Sequence, residues 1–453
     1  MTPATGDPYR LERLVTWASG HDVLRPEDLG HAVTVVTDTI AAIIGAAAEF
    51  EVRGFAGAAP TIGGCGPSTV LPTARRTSPA TAAWANGMAA VRLELDEGNQ
   101  FAANHPAAHV LPAVLAVAEA QGSTGRDLLE ALSAGYEVAV RVARGIRLRQ
   151  AVHPFGTAMI CGAAMGVARL RGFSPADATR AVLTAAALTP ASTQRAATRG
   201  ATVRNAVTGA CAASAVVAAD LAATGTGPDP GVLDIVFGEI LGTAYDAKFL
   251  DLELGEQRYL TRNYFKLHAC SRWNHAAIEA TAVLQATHGL VPEEVEDVEV
   301  ATYDPAIRLR DPEPANGFAG KHSIPYSVAA RLRYGANGLE QYTDEAVGDP
   351  AVRALTRRVR VVEDPDYTRA APRVRAARVT VRLQDGRTHT AVEDRPPGGF
   401  DRPYPAGALA AKHHELLRRT LPESTAASLL DWCLRLPAAD SLGELQEILG
   451  PAA

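Results

Sequence analysis

The sequence predicts a mainly α protein: a large all-helical domain joined to a smaller α+β domain. Three observations lead there. Of 453 residues, 47% are hydrophobic but only 6% aromatic, so the core must be built from Ala, Leu and Val, and Ala is the best helix former and a poor strand former. Residues 8 to about 250 carry one helical pattern after another. After about residue 258 the texture changes to the alternation of apolar and charged residues that half-buried strands show. A chain of this length exceeds one simple core, and two or three domains are the prior.

The helical part comes first. "HAVTVVTDTIAAIIGAAAEF" and "AVTGACAASAVVAADLAATG" are apolar on nearly every face, as helices enclosed by other helices are. Thr124 is a good N-cap for "GRDLLEALSAGYEVAVRVARG", with Asp127 in the first turn. Ser174-Pro175 opens "ADATRAVLTAAAL", with Asp177 early in the helix. In the second part, "EVEDVEVATY" (294–303), "RVRVVEDPD" (358–366) and both arms of "ARVTVRLQDGRTHTAVED" (377–394) read as strands. Asp385-Gly386 in the last is a type I′ hairpin signal. Helices intervene, one over 274–288 beginning at Asn274 and one from Ser327 onward. "RPPGGFDRPYP" (395–405) is the exit, and the last 48 residues return to helix and rejoin the first domain. The expected division is therefore 1–260 with 402–453 for the helical domain and 263–398 for the α+β domain.

The formal net charge is −6 with no basic block, which argues against nucleic acid as a partner. No apolar run reaches membrane-spanning length, and the start "MTPATGDPYRLERL" lacks the order of a signal peptide. A cytoplasmic protein with no membrane partner is expected. The five cysteines, Cys65, Cys161, Cys211, Cys270 and Cys433, are scattered without a CxxC pair, which predicts neither a disulfide framework nor a metal cluster. Only four of the 44 basic residues are lysines: Lys248, Lys266, Lys321 and Lys412.

Candidate chemistry begins in "LELDEGNQFAANHPAAH" (93–109), where Glu94, Asp96 and Glu97 follow an alanine-rich helical stretch. Pro106 suits the first turn of a new helix and puts His105 at its N-terminus, where the macrodipole favours a neutral ring. A loop rich in Gly, Asn and Ala could bring the Asp96 carboxylate and the His105 imidazole together as a general acid/base unit. A solvated helix end is the alternative, because charged residues are mostly exposed. A second His-Pro, His153-Pro154 in "HPFGTAMICG", lies at the entry to another apolar helix. "NYFKLHACSRWNHAAIEA" (263–280) sits at the change of texture, a common place for a site between domains. Its Lys266 and Arg272 suit carboxylates, and its His275 stands at a helix start. "GKHSIPYSVAARL" adds Tyr326, whose phenol could donate a proton or a hydrogen bond, and "ATRGATVRNAVTG" offers Arg204 before an apolar helix. Each of these has a plain structural alternative, as a linker, a core tyrosine or a surface arginine. No Walker loop, dinucleotide fingerprint, GxSxG or HExxH is present.

Taken together and in order, "SPATAAWANGMAAVRLELDEGN", "HPAAHVLPAVLAVAEAQGSTGRDLLEALSAGYEVAVRV", "HPFGTAMICGAAMGVARLRGF", "FKLHACSRWNHAAIEA" and "HSIPYSVAARL" resemble the MmgE/PrpD superfamily. That superfamily includes 2-methylcitrate dehydratase, cis-aconitate decarboxylase and iminodisuccinate epimerase. The resemblance implies a helical domain closed by the C-terminal helices, an α+β lid, a homodimer, and an interdomain site acting on small polycarboxylates without metal or organic cofactor. Carried over, the acidic motif falls on Glu94 to Glu97 and its histidine on His105. The second catalytic histidine falls on His153, the cleft lysine on Lys266 and the lid tyrosine on Tyr326. The chain departs from the family where Asp96-Glu97-Gly98-Asn99 replaces an Asp-Asp-Thr run, and where Arg204 replaces a lysine five residues before Gly209. Arginine anchors an anion but hardly acts as an acid, so the substrate should differ from methylcitrate.

The resulting expectation is a cofactor-independent carbon–oxygen lyase acting by β-elimination on a small anionic carboxylate. Asp96, His105, His153, Lys266 and Tyr326 would be the catalytic groups. Glu94, Arg204, Arg272 and His275 would be the binding groups. Decarboxylation of a cis-aconitate-like acid, epimerisation of a dicarboxylate and elimination of a phosphate ester use the same groups. A catalytically silent helical dimer is the reading from another class.

Overall fold

The structure is a computed structural model and describes residues 7–405 and 407–450. The helical part is built from α1 (Asp7–Ser19), α2 (Leu29–Gly45), α3 (Pro79–Ala90), α4 (Pro106–Gln121), α5 (Gly125–Arg144), α6 (Met159–Leu170), α7 (Pro175–Ala187) and α8 (Val203–Ala223). Their facing residues are largely Ala, Val and Leu, nearly all of α4 and α6 being buried. Small side chains let the axes approach closely. At the crossing of α3 and α8, a Cβ on Gly87 would lie 2.9 Å from the Cα of Gly209, so the two helices meet backbone to backbone. That crossing fixes the first turn of α8, and Arg204 with it.

The caps at Thr124 and Ser174 form as the sequence predicts. Thr124 makes a reciprocal capping box with Asp127, and the Ser174 hydroxyl accepts from the Asp177 N–H. Helix α2 and the short turns flanking it (Pro26–Ala48), and helix α8, are long and apolar enough to cross a membrane by length and composition. This corrects the expectation drawn from apolar runs, which Asp38 interrupts to the eye. Within the fold, 83% and 56% of their apolar windows are buried, and α2 is enclosed by α3 and the C-terminal helices.

The α+β part holds one four-stranded sheet of β1 (Val295–Thr302), β2 (Val359–Glu363), β3 (Ala377–Leu383) and β4 (Thr388–Glu393), in the order β2-β1-β3-β4. Only the β1–β2 pair is parallel. Along β3, Ala377, Val379, Val381 and Leu383 are buried while the intervening side chains are not, and helix α9 (Arg272–His288) packs over β3 and β4. The Asp385-Gly386 hairpin differs from the predicted type I′ turn. Leu383 N–H donates to the Arg387 carbonyl (2.8 Å) and Gly386 N–H to the Leu383 carbonyl (2.9 Å), which leaves three residues in the loop. Only the glycine takes positive φ, at +87°, so this is a three-residue loop with glycine in the left-handed position.

Two helix starts also move. Helix α9 begins at Arg272 behind Ser271 rather than at Asn274. Helix α10 (Ile324–Tyr334) begins behind Ser323, whose hydroxyl accepts from the Tyr326 N–H. The chain then returns as α11 (Ala408–Arg418) and α12 (Glu423–Arg435), α11 lying along α2. There the Lys412 ammonium donates to Asp38 Oδ1 (2.5 Å), and His413 Nε2 lies 3.0 Å from the same oxygen.

Candidate active site

Helix α3 ends at Ala90, and the segment that follows is loop until His105 caps α4. A solvated helix end would leave its carboxylates wet, yet Glu94, Asp96 and Glu97 are each only 1% exposed. Burial on this scale demands partners, since an unpaired buried carboxylate is strongly unfavourable, and the partners are present. Arg204 Nη1 donates to Glu94 Oε1 at 2.6 Å. Lys266 Nζ donates to Asp96 Oδ1 at 2.9 Å and lies 3.6 Å from Glu94 Oε2. His105 Nδ1 lies 2.6 Å from Asp96 Oδ2 and 2.7 Å from the carbonyl oxygen of Glu97. Two acceptors at that distance put the proton on Nδ1 and leave Nε2 free. Asp96, not Glu94, is the carboxylate beside His105: the Nδ1–H is directed at the Glu97 carbonyl, and Asp96 Oδ2 lies against the ring as a close charge with no hydrogen bond of its own.

Burial by itself would raise the Glu94 and Asp96 carboxyls. For Glu94 the charges of Arg204 and Lys266, and for Asp96 those of His105 and Lys266, outweigh it and hold both well below the usual range. Burial likewise disfavours the Lys266 ammonium, but the two carboxylates raise it above its ordinary value. Glu97 goes the other way. Its desolvation is not compensated by any cation, and the carboxyl is pushed up to about 8 despite hydrogen bonds from Tyr136 and the Ala107 N–H.

The loop is also clamped through its backbone. Glu94 sits at φ +57°, a left-handed conformation that costs a non-glycine residue about 1–2 kcal/mol. The carbonyls on either side of it are held by buried lysines. Lys321 Nζ donates to Leu93 O (2.8 Å) and Lys412 Nζ to Leu95 O (2.6 Å). With Lys266, three of the chain's four lysines therefore converge on residues 93–96, while Lys248 is exposed. Burial lowers Lys321 to about 7.

Opposite the carboxylates lies a narrow cavity of about 50 Å³, whose lining includes Glu94, His105, His153, Arg204, Tyr264 and His322. His153 lies in a loop rather than at a helix entry, because α6 begins six residues later, at Met159. Its backbone N–H donates to the Ser192 carbonyl (2.9 Å), and its Nδ1 accepts from the Phe155 N–H (3.1 Å), so the neutral ring carries its proton on Nε2. Phe155 is the hub. The rings of His105, His109 and His153 meet it edge-on at 5.1, 5.4 and 4.7 Å, and the Arg204 guanidinium lies 3.8 Å from its centroid. Burial is the main reason that His153 lies well below the ordinary imidazole value, with Arg204 adding to it. Burial also brings His109 to about 3 and His322 to about 4. His322 Nδ1 bonds the Phe318 carbonyl (3.0 Å), leaving Nε2 3.7 Å from Glu94 Oε1.

Not every residue singled out in the sequence joins this cluster. The Tyr326 hydroxyl donates to the Gln341 carbonyl, and its ring packs on Tyr342. The cavity is lined instead by Tyr264, a phenol raised above its ordinary value by burial. Arg272 does line the cavity, but its two terminal nitrogens donate to the Pro397 and Pro396 carbonyls at 2.8 and 2.7 Å. His275 lies behind it, with Nδ1 3.1 Å from the Arg272 guanidinium. Its ring is held neutral chiefly by burial.

The sequence reading missed His322, Tyr264, Phe155, the two clamping lysines, and Arg375, which also lines the cavity and donates to the Gln100 carbonyl (2.8 Å). His322, Tyr264 and Phe155 lie inside motifs already quoted, and the scarcity of lysine was the available signal for Lys321 and Lys412. Tyr264 owes its place to Gly98. A Cβ there would meet the Tyr264 hydroxyl at 2.4 Å, and the two residues exchange backbone hydrogen bonds of 3.0 and 2.8 Å.

Among the described residues, no group of three or more His, Cys, Asp or Glu side chains is placed to hold a metal ion. The arrangement can hold an anion against Arg204, whose buried Nε has no hydrogen-bond partner, and can move a proton through His105 with Asp96 behind it.

Residues 12–239 match the model of the MmgE/PrpD N-terminal domain, and residues 268–436 that of the MmgE/PrpD C-terminal domain. The chain is 26% identical over 409 residues to a cis-aconitate decarboxylase-like protein of Aspergillus oryzae, covering 83% of each chain. It is 26% identical over 394 residues to human cis-aconitate decarboxylase, covering 83% of this chain and 81% of that one. A 2-methylcitrate dehydratase of Cupriavidus necator is 30% identical over 165 residues, 34% of each chain.

Proposed function

The chain belongs to the MmgE/PrpD superfamily, whose enzymes act on small carboxylic acids, and from that premise we propose that it is a cofactor-independent decarboxylase of a small unsaturated polycarboxylate. The observation that carries this is the Asp96–His105 pair facing a cavity whose other imidazoles are held neutral. One proton donor backed by a carboxylate, beside fixed cations, is the minimum set for replacing a carboxylate by hydrogen.

In this reading Arg204 and Arg375 hold the substrate's carboxylates, and the His153 Nε2–H adds a neutral donor. The bond between carbon and the departing carboxylate breaks to give carbon dioxide. Its electron pair passes into the adjacent double bond, conjugated to a retained carboxylate, where Arg204 stabilises the developing charge. His105, protonated at Nε2 and stabilised as an imidazolium by Asp96, delivers its proton to carbon and regains one from solvent. Such a general acid contributes roughly 10²–10⁴ in rate. Lys266 stays paired with Asp96 and Glu94 and keeps both ionised.

The matches to human cis-aconitate decarboxylase and to the decarboxylase-like protein extend over more than four-fifths of the chain, whereas those to the 2-methylcitrate dehydratases of Yarrowia lipolytica and Cupriavidus necator cover about a third of it, which favours this reading over β-elimination. Elimination would use the same dyad as a base and release water without carbon dioxide. We place the helical body at 1–260 with 402–453 and the lid at 263–398, working as a cytoplasmic homodimer. The test is to incubate purified protein with cis-aconitate, 2-methylcitrate and related acids and to follow carbon dioxide and products by NMR. Carbon dioxide released in step with loss of an unsaturated acid is expected. Turnover of a hydroxy acid to an alkene without carbon dioxide would overturn decarboxylation in favour of dehydration.

A further inference from the structure

The catalytic cavity does not end at Gln194. A second cavity, of about 640 Å³, abuts it there and is lined by Gln150, Arg195, Asp304, Arg308 and Arg310, with Gln194 common to both. The wall between the two is a pair of backbone segments. Gln194 N–H donates to the Ala151 carbonyl and His153 N–H to the Ser192 carbonyl, each at 2.9 Å. One short ribbon thus presents His153 to the inner chamber and Gln150 to the outer one. On the opposite side Leu309 lines the inner chamber, while its neighbours Arg308 and Arg310 line the outer.

The charge of the outer chamber runs against that of the chain. The protein carries −6 overall, yet this concavity gathers three guanidiniums against one carboxylate. Asp304 comes only within 4.0 Å of Arg308. Among the described residues, neither Arg195 nor Arg310, both exposed, has an acidic side chain within ion-pair distance. In the inner chamber Arg204 is matched with Glu94, while Arg272 and Arg375 donate to backbone carbonyls. Unpaired guanidiniums converging on one hollow are a receptor for an oxyanion, which they bind through forked, charge-assisted hydrogen bonds.

We propose that the outer chamber is a subsite for a distal anionic arm of the substrate. The natural substrate is then an extended acid whose reacting end lies at His105 and whose far end carries a phosphate or a carboxylate. The proposal rests on the inner cavity being the reacting site, and its test separates the two. Inorganic pyrophosphate is titrated calorimetrically into the full-length wild type, into Arg195→Ala/Arg310→Ala, and into Arg53→Ala/Arg353→Ala, which removes the same charge elsewhere. Pyrophosphate should bind the wild type and the distant control alike and bind the subsite variant at least about tenfold more weakly, the loss expected for two charge-assisted contacts.

Saturated tricarboxylates bearing an arm that ends in phosphate, carboxylate or a methyl ester then identify the arm. The preferred anion should exceed the ester about tenfold in the wild type and lose that advantage in the subsite variant. Pyrophosphate binding that is absent, or equal in all three proteins, overturns the subsite. If the tricarboxylates fail to bind while pyrophosphate still discriminates, the reading of the inner cavity falls and the subsite stands.

Discussion

Replacing Glu97 by glutamine tests the electrostatics beneath the dyad. Glu97 is 1% exposed, its backbone carbonyl bonds His105 Nδ1, and its carboxyl lies between the Tyr136 hydroxyl (2.5 Å) and the Ala107 N–H (3.3 Å). Burial raises the carboxyl from 4.5 to about 8, so near neutral pH it is protonated, and a glutamine amide copies its shape, its N–H donating to the Tyr136 oxygen and its carbonyl accepting from the Ala107 N–H. The folded value lies above the unfolded one, so the folded state keeps the proton longer. The stability this contributes is complete below pH 4.5 and is lost as pH rises through about 8. One pKa unit corresponds to about 1.4 kcal/mol, so that span amounts to roughly 4–5 kcal/mol. Urea unfolding of wild type and Glu97→Gln from pH 5 to 9 should show near equality at the acid end. The variant should then gain progressively, the difference levelling off above about pH 8. A difference that stays flat within about 1 kcal/mol across the range would show that Glu97 is ionised in the fold.

Two further predictions concern how the loop is held. Lys412→Met leaves the buried Asp38 with His413 as its remaining partner and frees the Leu95 carbonyl. It should cost about 3–5 kcal/mol, and Asp38→Asn in the same chain should restore at least half; a loss below about 1 kcal/mol in urea unfolding would contradict the clamp. Gly98→Thr puts a side chain where the Tyr264 ring lies. It should displace the phenol from the cavity and lower kcat/KM on the order of 10²-fold, as a small misplacement near the chemistry does. Unchanged kinetics would remove Tyr264 from the site.

Much of the fold was legible because its signals are local. The Thr124 and Ser174 caps, the alternation in β1 and β3, and Pro106 at the start of α4 each depend on a few adjacent residues. The Asp385-Gly386 dipeptide marks the turn but not its type, because a glycine at positive φ serves both a two-residue and a three-residue loop. What was not legible depends on chain segments far apart. That Asp96 rather than Glu94 meets His105 follows from a left-handed backbone at Glu94, which lysines 321 and 412 hold from 228 and 317 residues away. Tyr326 and Tyr264 are both tyrosines in conspicuous motifs, and only the register of the Gly98 backbone bridge decides which phenol reaches the cavity. Two paired cations and three buried carboxylates look from sequence like a charged surface, and it is burial that makes them a site.

The most direct test is the release of carbon dioxide from cis-aconitate, or from the best acid found in the panel, by wild type, His105→Gln and Asp96→Asn, each shown to be folded by circular dichroism. If His105 delivers the proton and Asp96 supports its charged form, both variants should lose on the order of 10²–10⁴ in kcat. KM should change little, since neither side chain is assigned to binding the substrate's carboxylates. Carbon dioxide release at the wild-type rate from folded His105→Gln would contradict the account.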